Sequence, residues 1–368
     1  MPWCRSSGRT ARTSSSRRPR TTARIRPSHR EVSTARFGFF FWPWSPEYTA
    51  RMAGLAERDG WDLLGIADTP GNAMDLWVAL TLAATRTERV GLAACVTNLA
   101  TRHPAITAGA AASVDAVSGG RVLLGVGRGH SGVANLGAAA AGGSAFRDGL
   151  RFTRALLAGE RASLSGGPAT QLPPLPRRVP VYAAASGPGA LRAAGAVADG
   201  AFVNYGLQRQ HLARARELIG SGAAEAGRAA ADVDTWWIAC LDCAPSRDAA
   251  HATLGNILGF VAAYILGGAP AERGVPPDLV PAVHELRASY TTRRAEMDAG
   301  LVKRLGLFDY LRARLAIAGT PDDCVAQARA ALAAGATRLM FTVSLAADPV
   351  RTVELFGSEV LPALRRGG

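Results

Sequence analysis

A repeated alternation of short apolar runs with longer helical patterns is the feature that most constrains this chain. Eight such runs occur after residue 36, and each is almost continuously apolar. Strands that are buried on both faces of a parallel sheet have this character, whereas half-exposed strands alternate apolar with polar residues. The eight predicted strands are Phe37–Trp42, Asp62–Ala67, Val90–Thr97, Arg121–Val126, Val179–Ala185, Gly200–Asn204, Thr235–Leu241 and Ala336–Val343.

Helical patterns separate these runs, and a last one follows them. Eight strands alternating with eight helices predict an α/β fold, a (β/α)8 TIM barrel, with an open doubly wound sheet as the alternative. The long stretch 244–335 predicts a helical insertion between strands 7 and 8. The predicted helices are Glu47–Asp59, Asp75–Arg86, Pro104–Val117, Leu150–Leu157, Pro188–Val197, Arg209–Ile219, one that opens at Thr320-Pro321, and Pro349–Leu364.

The positive charge of the chain is concentrated at its N-terminus. Residues 1–36 hold ten arginines and one acid, a charge of +9, so that +13 − 9 = +4 remains for the other residues. Because residues 1–35 contain few aliphatic side chains, we expect a disordered tail there, followed by a single barrel domain over 36–368. A start codon assigned too early (with Val32 as the true start), a genuine basic arm and a targeting peptide remain open.

Composition also limits the partners and the compartment. The mild charge of residues 37–368 gives no reason to expect nucleic-acid binding, and no apolar run reaches the ~18 residues of a membrane helix. An odd number of scattered cysteines is typical of a reducing, cytoplasmic protein. Cys240 and Cys243 form a lone CxxC, which predicts buried strand cysteines and no metal site. The five cysteines are Cys4, Cys95, Cys240, Cys243 and Cys324.

Two glycine-containing segments follow predicted strands. Gly127 to Gly132 reads GxGxxG, but the next strand starts only at Val179, too far away for a dinucleotide-binding unit. We therefore expect these glycines to let the backbone approach a ligand. The segment Ala184 to Gly189 ends a strand and begins a helix at Pro188, which predicts an anion site at the helix N-terminus.

Several short segments together resemble the luciferase-like monooxygenase family of flavin and deazaflavin enzymes. The branch that they resemble most is similar to methylenetetrahydromethanopterin reductase, which uses the 8-hydroxy-5-deazaflavin coenzyme F420. The order and spacing of the segments carry the resemblance over Phe37 to Leu364. They are Gly60–Asp68, Leu80–Thr85, Glu88–Val90, Val96–Asn98, Arg102–Pro104, Ser118–Gly127, Ala185–Pro188, Ala198–Gly200 and Gly319–Pro321.

The resemblance implies a site at the strand ends. Cys95-Val96 matches a non-proline cis peptide behind the cofactor ring. Asp68, Asn98 and His130 are the candidate catalytic residues, with His130 as the proton donor in the place of a relative's glutamate. Thr69 departs from the family, where a histidine often follows the acid. The implied cofactor-binding residues are Cys95, Val96, Thr97, Gly127, Gly129, Ala184, Ala185, Ser186, Gly187 and Pro188.

The implied function is that of a bacterial, cytoplasmic oxidoreductase that transfers a hydride between reduced F420 and a small organic substrate. Two alternatives stay open at this point: an FMN-dependent two-component monooxygenase, and a barrel that binds flavin without turnover. A homodimer is expected from the family, and no metal is expected.

Overall fold

The sheet closes on itself into a barrel. The chain is described by a computed structural model that covers residues 35–366, so the predictions for residues 1–34 lie outside it. Eight parallel strands pair in the order β1 to β7 and then β9, and β9 pairs with β1. The predicted (β/α)8 barrel is therefore confirmed. The strands are β1 Arg36–Phe41, β2 Leu63–Ile66, β3 Gly91–Asn98, β4 Val122–Gly127, β5 Val181–Ala185, β6 Gly200–Val203, β7 Asp234–Cys243, β8 Ala316–Gly319 and β9 Arg338–Thr342.

Helices follow the strands at every predicted place. Most bounds agree within two residues, but α5 begins seven residues before the predicted Leu150 and α7 extends six residues beyond Ile219. The helices are α1 Pro46–Arg58, α2 Leu76–Arg86, α3 Pro104–Ser118, α4 Ser131–Ala134, α5 Gly143–Leu157, α6 Pro188–Val197, α7 Arg209–Glu225, α8 Arg247–Ala252, α9 Leu254–Ile265, α10 Val280–Ser289, α11 Leu301–Arg304, α12 Phe308–Leu315, α13 Pro321–Ala333, α14 Pro349–Leu355 and α15 Leu361–Arg365.

Local chemistry explains where the helices start. The hydroxyl of Thr320 and the carboxylate of Asp323 form a capping box at the start of α13, with Pro321 in the first turn. His103 caps α3 by accepting a hydrogen bond at Nδ1 from the Ala105 amide, at 3.2 Å. Its role is therefore structural.

The prediction that 244–335 lacks strands is wrong. After β7 come helices α8 to α12, then the short strand β8, which pairs with Cys240–Cys243 of β7, and then the predicted helix α13. The middle of β7, Trp237–Cys240, pairs with β9 and closes the barrel. β8 has only four residues and directly follows α12. So short an apolar run cannot be separated from a buried helix end by periodicity.

A fully buried arginine attaches the insertion to the barrel. Arg314 is 0% exposed and donates to the carbonyl of Tyr205, after β6, at 3.0 Å. It also donates to the Arg273 carbonyl and to the Tyr310 hydroxyl, each at 2.6 Å. A guanidinium with several fixed donors can satisfy this many acceptors at once. Arg314 therefore fixes the segment around Arg273 over the barrel mouth.

The cysteines of the described residues are buried, as the sequence predicts for Cys240 and Cys243. All four cysteines in the described part of the chain are free and buried. Cys240 and Cys243 lie in β7 and pack in different clusters, because residues three apart on a strand point to opposite faces. Over residues 35–366 no helix has the length and apolarity to cross a membrane. Within the same residues no group of His, Cys, Asp or Glu is placed to hold a metal ion.

Candidate active site

A cavity of about 180 Å³ lies at the carboxyl ends of the barrel strands. In TIM barrels this end carries the active site. Eleven of the thirteen predicted site residues line the cavity: Asp68, Cys95, Val96, Thr97, Asn98, Gly127, Gly129, His130, Ala184, Ala185 and Ser186. Gly187 and Pro188 line the adjoining cleft instead. The structure thus brings together residues that the sequence separates by more than a hundred positions.

The adjoining cleft is larger, at about 890 Å³, and shares His130, Ser186 and Tyr264 with the cavity. Among the described residues, its five arginines have no carboxylate within salt-bridge distance, although two glutamates also line the cleft. Unpaired guanidinium groups on several elements favour a ligand with several negative charges. The five are Arg128, Arg147, Arg192, Arg273 and Arg287.

The start of α6 forms the link between cavity and cleft. Gly187 occupies the N-cap position and supplies no side chain to cap the helix amides. The guanidinium of Arg273 lies over this turn and donates to the Ser186 carbonyl at 3.1 Å. A Cβ on Gly187 would lie 2.8 Å from Arg273 Nη2, so only glycine lets the arginine come this close. Free amides and a cation together fit a phosphate.

The wall of the cavity on the β3 side is irregular. The Cys95–Val96 peptide is cis, as predicted, and the register between β3 and β4 shifts between Ala94 and Thr97. Gly129 has φ = +92°, and a Cβ there would lie 2.2 Å from Val133 Cγ2. A Cβ on Gly132 would meet the Asp68 carbonyl at 2.7 Å. Gly129 and Gly132 line the cavity, and each also lies so close to a neighbouring protein group that a side chain would not fit there.

The Asp68 carboxylate is buried and engaged by its neighbours. Its Oδ2 accepts a hydrogen bond from the Thr97 hydroxyl at 2.6 Å and lies 3.2 Å from Arg102 Nη1. Arg102 also pairs with Asp75. Asp68 therefore links the end of β2 to β3 and to the turn before α3 through Thr97 and Arg102.

Asn98 has a similarly local role. Its Oδ1 accepts hydrogen bonds from the amides of Ala100 and Thr101, both at 2.9 Å, and holds the turn after β3. The side-chain Nδ2 has no partner among the described residues and is free to donate to a ligand. Asn98 can thus bind and orient, but an amide cannot supply a proton.

His130 is the candidate with acid–base capacity. Its ring lies 4.0 Å from the Tyr264 ring and 5.4 Å from the Phe260 ring, and its Nε2 is hydrogen-bonded to the Tyr290 hydroxyl. Burial, reinforced by the Arg287 cation, lowers the pKa of His130 to about 4. At neutral pH the imidazole is therefore uncharged.

Sequence reasoning missed every site residue from the insertion. Phe260, Tyr264, Arg273, Arg287 and Tyr290 come from α9, α10 and the segments that follow them. Their local sequence shows only helical periodicity, and no motif marks them. Of the two tryptophans near the mouth, Trp42 lines the cavity, whereas Trp44 stacks on Tyr48.

Comparison with known proteins shows the family of this chain. The family model for luciferase-like monooxygenases matches residues 24–338. The chain belongs to the luciferase-like monooxygenase family. The resemblance seen in the sequence is thereby confirmed.

Two relatives of known activity are similar to this chain, one over most of its length and one over about half. The 5,10-methylenetetrahydromethanopterin reductase of Methanolobus tindarius is 30% identical over 341 residues, which cover 88% of this chain and 99% of the relative. An F420-dependent glucose-6-phosphate dehydrogenase of Beutenbergia cavernae is 36% identical over 201 residues, 49% of this chain and 59% of that protein.

Solved structures share the fold. The F420-dependent tetrahydromethanopterin reductase of Methanopyrus kandleri superimposes with a TM-score of 0.73 at 26% identity, over 90% of this chain and 99% of that chain. An F420-dependent secondary alcohol dehydrogenase has a TM-score of 0.69 at 18% identity, over 90% and 99%. The second likeness, at its low identity, concerns the barrel alone.

Proposed function

We propose that this protein is an oxidoreductase that uses coenzyme F420 to transfer a hydride to or from a small organic substrate. The observation that carries the proposal is the continuity of three features: the cavity, the uncapped start of α6 and the arginine-lined cleft. FMN ends at its phosphate, whereas F420 continues beyond it with carboxylates. The unpaired arginines extend past the α6 turn and so fit the longer anion. The F420-dependent relatives support the same cofactor.

Each part of the site has a separate task in this proposal. When bound, the deazaflavin supplies the carbon centre that gives or takes the hydride. The amides of α6 and Arg273 would hold the phosphate, and the Cys95–Val96 segment would form the wall against the ring. Asn98 Nδ2 would orient a polar group. His130 would exchange a proton at Nδ1, the ring nitrogen that lacks a partner among the described residues.

Binding titrations test which cofactor the protein prefers. The purified protein is titrated with oxidised F420 and, separately, with FMN, and absorbance and fluorescence report binding. We expect F420 to bind at least about tenfold more tightly, the equivalent of one extra ion-paired contact. Tighter binding of FMN would overturn the proposal. Secondary alcohols and sugar phosphates are then added to the F420 complex, and reduction of F420 is followed by absorbance. If the barrel binds the cofactor without turnover, none of these compounds will reduce it.

Substitution of the arginine over α6 gives a direct prediction. Arg273→Gln should raise the Kd for F420 about 10- to 100-fold, because a hydrogen bond to a charged group contributes about 1.5–3 kcal/mol. Arg209→Gln is the matched control, since Arg209 lies on α7 outside the cleft. Equal affinities of wild type and Arg273→Gln would show that the phosphate does not sit at this turn.

A homodimer is the assembly that we propose. The outer faces of α2 and α3 expose three large aliphatic side chains, Val78, Ile106 and Val117, at 60%, 64% and 54%. The sole charged residue of α3, Asp115, is buried, so this face is apolar. Apolar patches of this kind mark protein interfaces. A second copy of the chain is the occupant that the family favours.

Sedimentation checks the dimer. We expect a mass of twice 38.3 kDa for the wild type and 38.3 kDa for Ile106→Glu, because a charge at the centre of an apolar interface is not solvated. Leu136→Glu, which changes a similarly exposed leucine (58%) outside α2 and α3, should leave the mass unchanged. A monomeric wild type would contradict this interface.

Free, buried thiols are also consistent with the cytoplasmic location that we propose.

A further inference from the structure

Tyr290 is held rigidly beside His130, the histidine that lines the cavity. It follows the last turn of α10, where its amide donates to the Leu286 carbonyl at 3.0 Å. Two residues later, Thr292 donates to Asn135 Oδ1 at 2.7 Å and accepts at its carbonyl from Asn72 Nδ2 at 2.8 Å. These bonds join the insertion to the loops after β2 and α4. The Tyr290 ring is therefore positioned from both sides.

The contact between Tyr290 and His130 is compatible with either tautomer of the imidazole, depending on whether the hydroxyl donates or accepts. A neutral imidazole has one N–H donor and one acceptor nitrogen, and the partner of one nitrogen selects the tautomer. The Tyr290 hydroxyl is bonded to Nε2. Donation by that hydroxyl leaves the proton of the ring on Nδ1. The charged group near both rings is Arg287, and Tyr264 lies against the other side of His130.

A neutral imidazole has a difficulty as a proton donor. Loss of Nδ1–H alone would leave an imidazolate, which is inaccessible at neutral pH. The burial that lowers the pKa of His130 also disfavours the imidazolium alternative. The donation becomes feasible when Nε2 gains a proton at the same time, and the Tyr290 hydroxyl is the group at Nε2.

We propose that Tyr290 positions His130 as the Nδ1–H tautomer and completes a two-residue proton relay from the cleft to the cavity. The catalytic use of this relay rests on the proposed hydride-transfer function, whereas the contact between Tyr290 and His130 does not depend on it. In the relay the Nδ1–H bond breaks and the substrate oxygen or carbon gains that proton. The Tyr290 O–H bond breaks and the Nε2–H bond forms. The phenolate, beside Arg287, then takes a proton from water in the cleft, which Tyr290 lines, and the hydroxide left behind is neutralised by the solvent. His130 is left as the Nε2–H tautomer and returns to the Nδ1–H form by proton exchange with solvent before the next turnover.

The tautomer is measured without cofactor or substrate. Nitrogen-15 NMR of histidine-labelled protein at pH 7 distinguishes protonated from unprotonated ring nitrogens, and His130→Gln identifies the signals by their loss. We expect Nδ1 protonated and Nε2 unprotonated in the wild type. In Tyr290→Phe, which keeps the ring but removes the hydroxyl, this pattern should be lost. Tyr264→Phe is the matched control and should keep it, since no hydrogen bond joins Tyr264 to the histidine in the described structure.

Turnover then tests the relay itself. Tyr290→Phe should lower the rate of the proton-coupled step about 10²-fold while the Kd for F420 stays unchanged. The rate is also measured in mixtures of light and heavy water. Its dependence on the deuterium fraction should indicate two transferred protons in the wild type and one in Tyr290→Phe. A wild type with Nε2 protonated, or a tautomer that Tyr290→Phe leaves unchanged, would overturn the proposal. Failure of F420 to bind would instead overturn the proposed function and leave the NMR result standing.

Discussion

Replacement of His130 by glutamine is expected to lower turnover by about 10²- to 10⁴-fold, the range that general acid–base catalysis contributes. Glutamine keeps an N–H group of similar reach but cannot exchange its proton. The Kd for F420 should change little, because the predicted phosphate contacts lie at α6 and Arg273. Stopped-flow absorbance of F420, with the substrate found by the panel of alcohols and sugar phosphates, measures the rate, and titration measures the Kd.

The pH profile tests the protonation state of His130, and the rate of the variant tests its role. Because the pKa of His130 is lowered to about 4, its charge stays constant between pH 5.5 and 8, and the wild-type rate should show no His130-dependent inflection there. His284→Gln is the control: it changes an exposed histidine of α10 and should leave the rate unaltered. A His130→Gln enzyme with the wild-type rate would exclude His130 from proton transfer.

The second large effect concerns Asp242, a buried acid in β7. Burial raises the pKa of this carboxyl to about 7, and the Asp348 charge acts in the same direction. The Ala347 amide donates to Asp242 at 3.1 Å and the Thr352 hydroxyl at 3.3 Å. An aspartate in the unfolded chain keeps its ordinary pKa of 3.8. Between these two values the folded protein binds one more proton than the unfolded chain, so the stability falls as the pH rises.

The size of this effect follows from the linkage relation. The interval from 3.8 to about 7 corresponds to about 4 kcal/mol of stability that is present below pH 4 and lost by pH 7. Asp242→Asn removes the titration, and Thr352 can turn its hydroxyl to satisfy the amide. We therefore expect Asp242→Asn to match the wild type near pH 4 in unfolding free energy, to exceed it increasingly up to about pH 7, and to keep a constant excess above that pH.

Urea denaturation at several pH values checks the prediction for Asp242. Only the difference between wild type and variant is used, because other groups titrate over the same range. Asp309→Asn, at a carboxylate that is 89% exposed, should give a difference that does not vary with pH. A flat difference for Asp242→Asn as well would show that the carboxyl is already ionised in the folded protein below pH 5.

Some features of the site can be predicted from the sequence because they are local. Gly187 and Pro188 mark the start of α6 directly after β5, and these two neighbouring residues are sufficient to predict an anion site there. The cis peptide at Cys95–Val96 is predictable through family resemblance alone, since no local rule specifies it. The role of Asp68 could not be predicted in this way, because its partners Thr97 and Arg102 lie about thirty residues away.

The apolar pattern of the chain predicts parallel strands and the end of the sheet that carries the site. Continuous apolar runs indicate strands that are buried on both faces, and eight of them with intervening helices favour a closed barrel over an open sheet. Which side chains meet at that end depends on packing in three dimensions. Tyr290 reaches His130 across 160 positions, and Arg273 reaches Ser186 across 87. Such pairs are selected by how the insertion packs on the barrel, anchored by the buried Arg314, and periodicity within either segment carries no information about that packing.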